Sequence, residues 1–259
     1  MRNKTNLGTV LAVALFGAVI GGALVAWGPG LFGGGTDQAA VRAALRANPE
    51  IVLEAMQALQ NRRAEVGRQQ QRNAIVASRS LLLEDANSFV GGNPKGDVTV
   101  VEFFDYRCPY CRGALSVVQA LIKSDANVRF VYKEFPSLGP ESLAAARVAV
   151  AARKDARYEA LHAALMTAPG PLDPDAALDI AAALGFDRAQ LAQAMMAPDT
   201  DAILQTNHAL ADVLALGGTP AFIVGDSLIP GVASLEALRK LVADLRAKGG
   251  DAALAKSGG

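Results

Sequence analysis

The residues best suited to chemistry are two cysteines separated by two positions. Cys108 and Cys111 are the only cysteines among the 259 residues of the chain, and they bracket Pro109 and Tyr110. A disulfide between them would close too small a loop to restrain the unfolded chain, so a structural cross-link explains the pair poorly. Thiols at this spacing can instead exchange disulfides, because one thiolate attacks a disulfide sulfur and the second thiol resolves the mixed disulfide. The spacing therefore predicts a redox-active dithiol.

The surrounding pattern predicts that this pair lies at the start of a helix, directly after a buried strand. Residues 98–104 are rich in β-branched and aromatic side chains, as expected for such a strand. Pro109 suits the first helical turn, where its missing N–H is not needed. Free amides and the helix dipole favour negative charge there, so we expect Cys108 to attack as the thiolate and Cys111 to resolve. Tyr110 would place an apolar ring with a hydroxyl group beside the disulfide.

A carboxyl group is expected to lie close to the dithiol. Glu102 interrupts the otherwise apolar strand six residues before Cys108. A buried carboxylate is costly unless it exchanges protons or meets a partner, so Glu102 is a candidate proton acceptor for Cys111. The alternative is an outward-facing position on an edge strand. Lys133 on the neighbouring strand could be its ion partner in either case.

A proline-containing turn is the second element expected beside the dithiol. Residues 217–221 read Gly-Gly-Thr-Pro-Ala, so a proline opens a strand after two glycines that allow a close approach. A cis bond between Thr219 and Pro220 would turn the Thr219 backbone towards the dithiol, as an extended edge for pairing with substrate. A trans bond is the more common form and stays open as the alternative.

The two thiolates could also hold a soft metal ion such as copper(I). The only histidines that could help are His162 and His208, which lie far from the pair in sequence and lack zinc-finger spacing. We expect both histidines to be helix-surface or packing residues. The sequence therefore predicts no metal site and no cofactor.

The N-terminal segment predicts a membrane tether. Arg2 and Lys4 precede a strongly apolar stretch from Leu7 to about Phe32. Crossing a bilayer takes about 20 apolar residues, whereas the apolar core of a cleaved signal is about 7 to 15 residues long. We therefore expect residues 1–35 to form an anchor with its N-terminus inside, with a cleaved signal peptide as the alternative. Both place the rest of the chain where disulfides persist.

Residues 36–92 are predicted to form a helical stalk. A short helix capped by Thr36 or Asp37 is followed by a second, which begins near Pro49 after a capping Asn48. Residues 67–72 carry no apolar stripe, so this helix cannot bury much of itself alone. The stalk is either a solvated spacer or an oligomerisation region. A Gly-Gly-Asn-Pro sequence then ends it.

The remaining chain predicts an α/β domain over residues 93–250 and a flexible tail over residues 251–259. The strand before the cysteines, the helix that they begin and a second strand form a strand-helix-strand unit with parallel strands. The other predicted elements are a strand at 127–135, an alanine-rich helical insertion at about 140–216, strands at 221–224 and 228–229, and a helix at 234–248.

Composition excludes two classes of protein. Hydrophobic residues make up 51% of the chain and charged residues 19%, which excludes a disordered chain. Lysine plus arginine and aspartate plus glutamate balance at 25 each, so no net field draws the chain towards phosphate backbones. No nucleic-acid partner is expected.

Residues 102–111, Glu-Phe-Phe-Asp-Tyr-Arg-Cys-Pro-Tyr-Cys, and Gly-Thr-Pro at residues 218–220 resemble the DsbA family of periplasmic thiol-disulfide oxidoreductases. The resemblance covers about residues 97–247. It implies a thioredoxin fold with an inserted helical subdomain. It also implies roles for four residues: nucleophile for Cys108, resolving thiol for Cys111, buried acid for Glu102 and cis-proline for Pro220.

Residues 41–83, with Asn-Pro-Glu-Ile-Val at 48–52, are similar to the N-terminal helices of the ScsC-type copper-tolerance branch of that family. Members of that branch can oligomerise through the stalk and some are disulfide isomerases, so the resemblance implies a homo-oligomer. Tyr110 stands where the strongly oxidising founder has histidine, and Thr219 resembles isomerase-type members. Both shift the expectation from a plain oxidase towards an isomerase or a reductant-maintained enzyme.

The combined prediction is a thiol-disulfide oxidoreductase on the periplasmic side of the bacterial inner membrane. It would form, reduce or isomerise disulfides in secreted proteins and exchange electrons with a membrane redox partner. Two alternatives stay open. One is copper(I) binding by the same thiolates, and the other is an oligomeric chaperone whose stalk matters more than its thiols.

Overall fold

The computed structural model of the protein describes residues 38–252. The predicted anchor or signal segment, residues 1–35, lies outside the described residues. None of the helices between residues 38 and 252 combines the length and the apolar character needed to cross a membrane. The chain divides into two units that meet between Ala64 and Glu65, and each is described by itself.

The elements within residues 38–252 alternate between helix and strand only in part of the chain. The helices are α1 Gln38–Ala47, α2 Glu50–Ala77, α3 Arg79–Leu83, α4 Pro109–Ser124, α5 Pro140–Ala152, α6 Tyr158–Thr167, α7 Pro174–Ala183, α8 Arg188–Met195, α9 Pro198–Val213 and α10 Leu235–Ala247. The strands are β1 Val90–Gly92, β2 Val98–Phe104, β3 Val128–Glu134, β4 Ala221–Val224 and β5 Ser227–Pro230.

The first unit contains α1 and the N-terminal half of α2, and both helices lie where the sequence predicts helices, the second beginning next to Pro49. The side chain of Asn48 donates to the Ala44 carbonyl oxygen at 3.2 Å, so it contacts the preceding helix and does not act as the predicted cap of the next one. No residue of α1 is buried. Large apolar side chains are exposed along both helices of this unit: Val41, Leu45, Ile51, Val52, Leu53, Met56 and Leu59.

The second unit is built on a mixed sheet with the strand order β1-β3-β2-β4-β5. β2 and β3 are parallel, as predicted for a strand-helix-strand unit, and α4 connects them. β4 pairs antiparallel with β2, and β5 antiparallel with β4. The helices α5 to α9 lie in the chain between β3 and β4. This is a thioredoxin-like α/β fold with helices inserted between two strands of its sheet.

The central strand β2 is buried along its whole length and separates two apolar cores. Successive side chains of a strand point to opposite faces of the sheet. One face contributes Val100 and Tyr132 to a core shared with α4, α6 and α10. The opposite face contributes Val101, Phe103 and Val131 to a core shared with α2, α3 and α9. Helices therefore cover both faces of the strand that leads to the cysteines.

Two boundaries differ from the sequence prediction. Val90–Gly92, expected to end the stalk, forms β1 and pairs antiparallel with β3. Asp251, expected in a flexible tail, accepts a hydrogen bond from the Thr99 hydroxyl at 2.6 Å, and its backbone N–H donates to the Asp97 carbonyl oxygen. Residues 90–92 form a strand because their backbone pairs with β3, and Asp251 is held by its contact with Thr99. Both interactions join segments distant in sequence, so the neighbouring residues do not indicate them.

Candidate active site

The dithiol lies where β2 ends and α4 begins. Cys108 is the N-cap residue of α4 with an extended backbone, and Pro109 occupies the first turn, as predicted. The two cysteines are not bonded to each other. Cys108 is 5% exposed and Cys111 only 1%, so the first sulfur lies nearer to solvent. Burial raises the pKa of the Cys111 thiol far above its usual range.

The proline-containing turn contacts the dithiol. The bond between Thr219 and Pro220 is cis, which confirms the less common of the two forms left open by the sequence. The thiol of Cys108 donates to the Thr219 carbonyl oxygen at 3.2 Å, so the Thr219 backbone faces the dithiol as predicted. The N–H of Gly231 donates to the Pro220 carbonyl oxygen at 2.8 Å and ties this turn to the chain after β5.

Glu102 is buried on the central strand, paired on one side with Tyr132 and on the other with Phe222. The alternative of an outward-facing edge position is therefore wrong. Among residues 38–252 the Glu102 carboxyl group has no hydrogen-bond partner. Burial, and to a lesser degree the charge of Cys108, raises its pKa to about 8.

Lys133 is not the partner of Glu102. Its ammonium group lies 2.6 Å from the carboxylate of Asp85, in the segment between α3 and β1. The register pairs Lys133 with Phe103, so its side chain projects from the face of the sheet opposite to Glu102. Alternation along the strands therefore keeps the expected pair apart.

Asp105, directly after β2, organises the chain that precedes the dithiol. Its buried carboxylate accepts hydrogen bonds from the backbone N–H of Arg107 at 2.7 Å and from the Ser142 hydroxyl at 2.7 Å. It also accepts from the N–H groups of Ser137 and Leu138 at 2.7 and 3.1 Å. Sequence reasoning missed this residue, although an aspartate after a strand is typical of a turn closed by its own carboxylate.

The side chain of Tyr110 is 67% exposed. The residues immediately before and after the Cys-Pro-Tyr-Cys motif are both arginines. Arg107 donates to the Gly170 carbonyl oxygen at 2.8 Å, and Arg112 donates to the Ala168 carbonyl oxygen. The cis-proline turn thus contacts the dithiol itself, and the segment between α6 and α7 contacts the arginines on either side of the motif.

A family model described as a DSBA-like thioredoxin domain matches residues 99–243, which is more than half of the chain. The chain belongs to this family. A second model, described as the copper resistance protein ScsC N-terminal domain, matches residues 38–65. Both parts of the resemblance inferred from the sequence are confirmed: the chain has a DSBA-like thioredoxin domain preceded by an ScsC-type N-terminal region.

Solved structures support the same family. A thioredoxin-like oxidoreductase from Silicibacter pomeroyi DSS-3 is 48% identical with a TM-score of 0.63, covering 65% of this chain and 98% of that one. ScsC from Proteus mirabilis in a transitional conformation is 30% identical with a TM-score of 0.63, covering 82% of this chain and 94% of that one. The similarity to ScsC therefore extends beyond the thioredoxin-like domain.

One curated relative is a much longer protein, and only part of it matches this chain. The Na(+)/H(+) antiporter NhaA 1 of Salinispora arenicola is 32% identical over 163 residues, which are 59% of this chain and 24% of the antiporter. The chain thus spans about a quarter of the length of the curated relatives that it matches.

The histidines of this DsbA-like chain are packing residues, as predicted. His162 is buried, its Nδ1 atom lies 3.2 Å from the Tyr106 hydroxyl, and burial lowers its pKa to about 3. The ring nitrogens of His208 lie within 3.0 Å of the carbonyl oxygens of Leu204 and Pro136. In the part of the chain from residue 38 to residue 252, no group of three or more histidine, cysteine or acidic residues could hold a metal ion.

Proposed function

We propose that this DsbA-like protein exchanges disulfides in extracytoplasmic proteins through Cys108 and Cys111. One observation carries the proposal: the Cys108 sulfur, at the start of α4, lies 3.2 Å from the Thr219 carbonyl oxygen. A backbone carbonyl beside a nucleophilic sulfur can pair with the backbone of an extended substrate and bring its sulfur to Cys108. Substrate binding at Thr219 and disulfide exchange at Cys108 would then take place side by side.

The reduced protein would act in two steps. The Cys108 thiolate attacks a substrate disulfide, so a bond forms between Cys108 and one substrate sulfur while the other leaves as a thiolate and takes up a proton. Cys111 then loses its proton and attacks the Cys108 sulfur. The Cys108–Cys111 disulfide forms, the second substrate sulfur leaves, and two electrons have passed to the substrate. Oxidation is the reverse sequence.

Glu102 is proposed as the group that accepts the proton of Cys111. Because burial raises the pKa of the Cys111 thiol, this cysteine needs a base before it can resolve the mixed disulfide. The raised pKa of Glu102, about 8, is close to the pH at which a general acid or base both accepts and returns protons. The absence of a hydrogen-bond partner within residues 38–252 leaves this carboxyl group free for exchange.

We propose that the protein isomerises substrate disulfides, or that it reduces them while a redox partner keeps its own dithiol reduced. Tyr110 and Thr219 beside the dithiol support this direction, as does the ScsC-type N-terminal match. In isomerisation the released substrate thiolate attacks a second substrate disulfide, and the thiolate that this step frees attacks the mixed disulfide and releases Cys108, so no net electrons are transferred. The exposed apolar side chains of α1 and α2 support assembly of several copies through the stalk.

We place the protein on the periplasmic side of the inner membrane, tethered by residues 1–35 or released after their cleavage. Its proposed partners are secreted proteins that carry thiols or disulfides and a membrane redox protein. The balance of charges, 25 basic against 25 acidic residues, gives no reason to propose nucleic acid.

The experiment is refolding of scrambled ribonuclease in a glutathione buffer by wild type and by Cys108→Ser. We expect the wild type to restore ribonuclease activity and the variant to have none above the buffer alone, because the serine hydroxyl cannot form a mixed disulfide. A variant with full activity would overturn the proposal. The equilibrium of the Cys108–Cys111 disulfide against glutathione gives the direction, since an isomerase must remain largely reduced in the same buffer.

A second candidate function is copper(I) binding by the two thiolates, which the match to a copper resistance protein domain favours. Its test is competition of the reduced protein with a copper(I) chelator. Retention of copper by wild type and its loss in Cys108→Ser would support this function. Copper held equally by both proteins would exclude the dithiol as the site.

A further inference from the structure

The segment between α6 and α7, residues 168–172, is held against the start of α4 by the two arginines that flank the redox motif. We call it the Pro-Gly-Pro loop. Arg107 donates through Nη1 to the Gly170 carbonyl oxygen at 2.8 Å, and Arg112 donates to the Ala168 carbonyl oxygen. These guanidinium groups come from the residues directly before Cys108 and directly after Cys111. The position of the loop is therefore coupled to the two ends of the motif.

Glu141, in the first turn of α5, completes this link. Its Oε2 atom lies 2.9 Å from Nε of Arg107 and accepts a longer hydrogen bond, 3.4 Å, from the backbone N–H of Leu172. The planar guanidinium fork of Arg107 can thus contact a carboxylate and a carbonyl oxygen at once, which a lysine cannot do. Arg107 connects three segments: the turn before Cys108, the start of α5 and the Pro-Gly-Pro loop.

This link contributes little to folding stability. The side chains of Arg107 and Glu141 are 34% and 39% exposed, and ion pairs at such positions are largely screened by water and salt. The tip of the loop presents the exposed residues Pro169, Gly170 and Pro171, whereas Ala168 and Leu172 at its two ends are buried in the core. Gly170 has a φ of 82°, a backbone conformation that favours glycine, and the prolines on either side restrict the chain further.

We propose that Arg107 is a positioning residue that makes the protein selective for polypeptide thiols over small thiols. It would hold the stiff, exposed Pro-Gly-Pro loop where a polypeptide bound at Cys108 contacts it. A small thiol such as glutathione reaches the sulfur without touching the loop. Binding energy gained away from the reacting sulfurs then favours the larger substrate. This inference rests on the proposed exchange function.

The experiment compares two thiols reacting with the oxidised full-length protein in a stopped-flow instrument. One is glutathione and the other an extended peptide of about ten residues with a single cysteine. For Arg107→Met we expect the second-order rate constant with the peptide to fall about tenfold through weaker saturation, with an unchanged limiting rate. The rate constant with glutathione should stay within about twofold of wild type. Glu141→Gln should shift the peptide reaction in the same direction.

Arg157→Met is the matched control. Arg157 forms an ion pair with Asp155 at 2.6 Å and donates to the Gly185 carbonyl oxygen at 2.6 Å, with its side chain 44% exposed. It has the same type of contacts as Arg107 but does not flank the redox motif. We expect it to leave both reactions unchanged.

Several results would overturn the inference. One is an unchanged rate constant with the peptide in Arg107→Met. The second is an equal fall in the rate constants with the peptide and with glutathione in that variant. The third is an effect of Arg157→Met on the peptide reaction as large as that of Arg107→Met. The last two would assign the effect to sulfur chemistry or to general destabilisation. A wild-type protein that reacts with neither thiol would instead overturn the proposed function itself, so the two failures are distinguishable.

Discussion

The two faces of the central sheet each bury an ionisable side chain, and they do so in opposite ways. On one face lies Glu102, in the strand that leads to Cys108, without a hydrogen-bond partner among the described residues 38–252. On the other face the fully buried ammonium group of Lys133 lies 2.6 Å from Asp85. An unpaired buried carboxylate is costly, whereas a paired charge recovers much of its lost hydration. This difference agrees with the proposed proton exchange at Glu102 and with a structural role for Lys133.

The pKa directions agree with this difference. Burial raises the pKa of Glu102 to about 8, and no partner opposes that shift. Partial burial by itself would raise the pKa of Asp85, but the hydrogen bond and charge of Lys133 bring it below its ordinary value. Glu102 is thus mostly protonated at neutral pH, and Asp85 is ionised. Substitutions on the two faces should therefore change different properties.

The largest expected effect on stability is on the paired face. Asp85→Asn would leave the Lys133 ammonium buried without its counter-charge, and we expect a loss of about 3 kcal/mol in the free energy of unfolding. Urea unfolding measures it. Lys133→Met is the control with a smaller cost, because Asp85 keeps donors from Asn87 and Ser88. A larger loss in Lys133→Met than in Asp85→Asn would contradict this account of the pair.

The next largest effect is on a reaction rate, and it concerns Glu102 on the face with the unpaired carboxyl group. Glu102→Gln should slow attack of Cys111 on the mixed disulfide about 100-fold at pH 7, within the usual range for loss of a general acid or base. Rapid quenching of the mixed disulfide at several pH values measures this rate. The wild-type rate should change with an inflection near the Glu102 pKa of about 8, and the variant should lack it. An unchanged profile would remove Glu102 from the proton transfer.

Stability on this face should depend on pH. An acid whose pKa is higher in the folded protein stays protonated up to a higher pH in the folded state than in the unfolded state. Its stabilising contribution is therefore complete below its ordinary value of 4.5 and is lost as the pH rises through about 8. Across that window we expect wild type to lose about 2 kcal/mol relative to Glu102→Gln, allowing for relaxation around the ionised carboxylate. Parallel pH profiles of the two proteins would show that Glu102 ionises normally.

The smallest effect concerns Glu134, a second buried carboxyl group on the Glu102 face that does have a partner. The Tyr158 hydroxyl donates to it at 2.5 Å, and burial raises its pKa to about 7 despite that hydrogen bond. Tyr158→Phe should cost about 1 kcal/mol in the free energy of unfolding and leave disulfide exchange unchanged. A large loss of exchange activity would mean that Glu134, rather than Glu102, serves the dithiol.

Much of the fold around the dithiol follows from local sequence. The strand that leads to Cys108 and the strand after Pro220 have the predicted bounds, 98–104 and 221–224. Their β-branched and aromatic residues suit strands covered on both faces. The proline after Cys108 marks the start of α4 because its ring fits the first helical turn. These features depend only on neighbouring residues, so a single sequence contains them.

What local sequence could not supply is the relation between distant segments. The expected Glu102–Lys133 pair depended on strand register, which places these side chains on opposite faces. The role of Asp105 depends on donors more than thirty residues later, at Ser137, Leu138 and Ser142. Likewise, nothing near Arg107 indicates that its partner is Gly170. Such contacts exist only once the helical insertion has packed against the sheet.

The most direct test of the central claim, that Cys108 attacks and Cys111 resolves, is trapping of the mixed disulfide. Cys111→Ser is incubated with scrambled ribonuclease, and the linked species is measured by non-reducing electrophoresis and mass spectrometry. We expect it to accumulate, joined through Cys108, because the resolving thiol is missing. Cys108→Ser should trap none, since the remaining Cys111 is buried and its thiol pKa is raised. Trapping through Cys111 in Cys108→Ser, with none in Cys111→Ser, would contradict the claim.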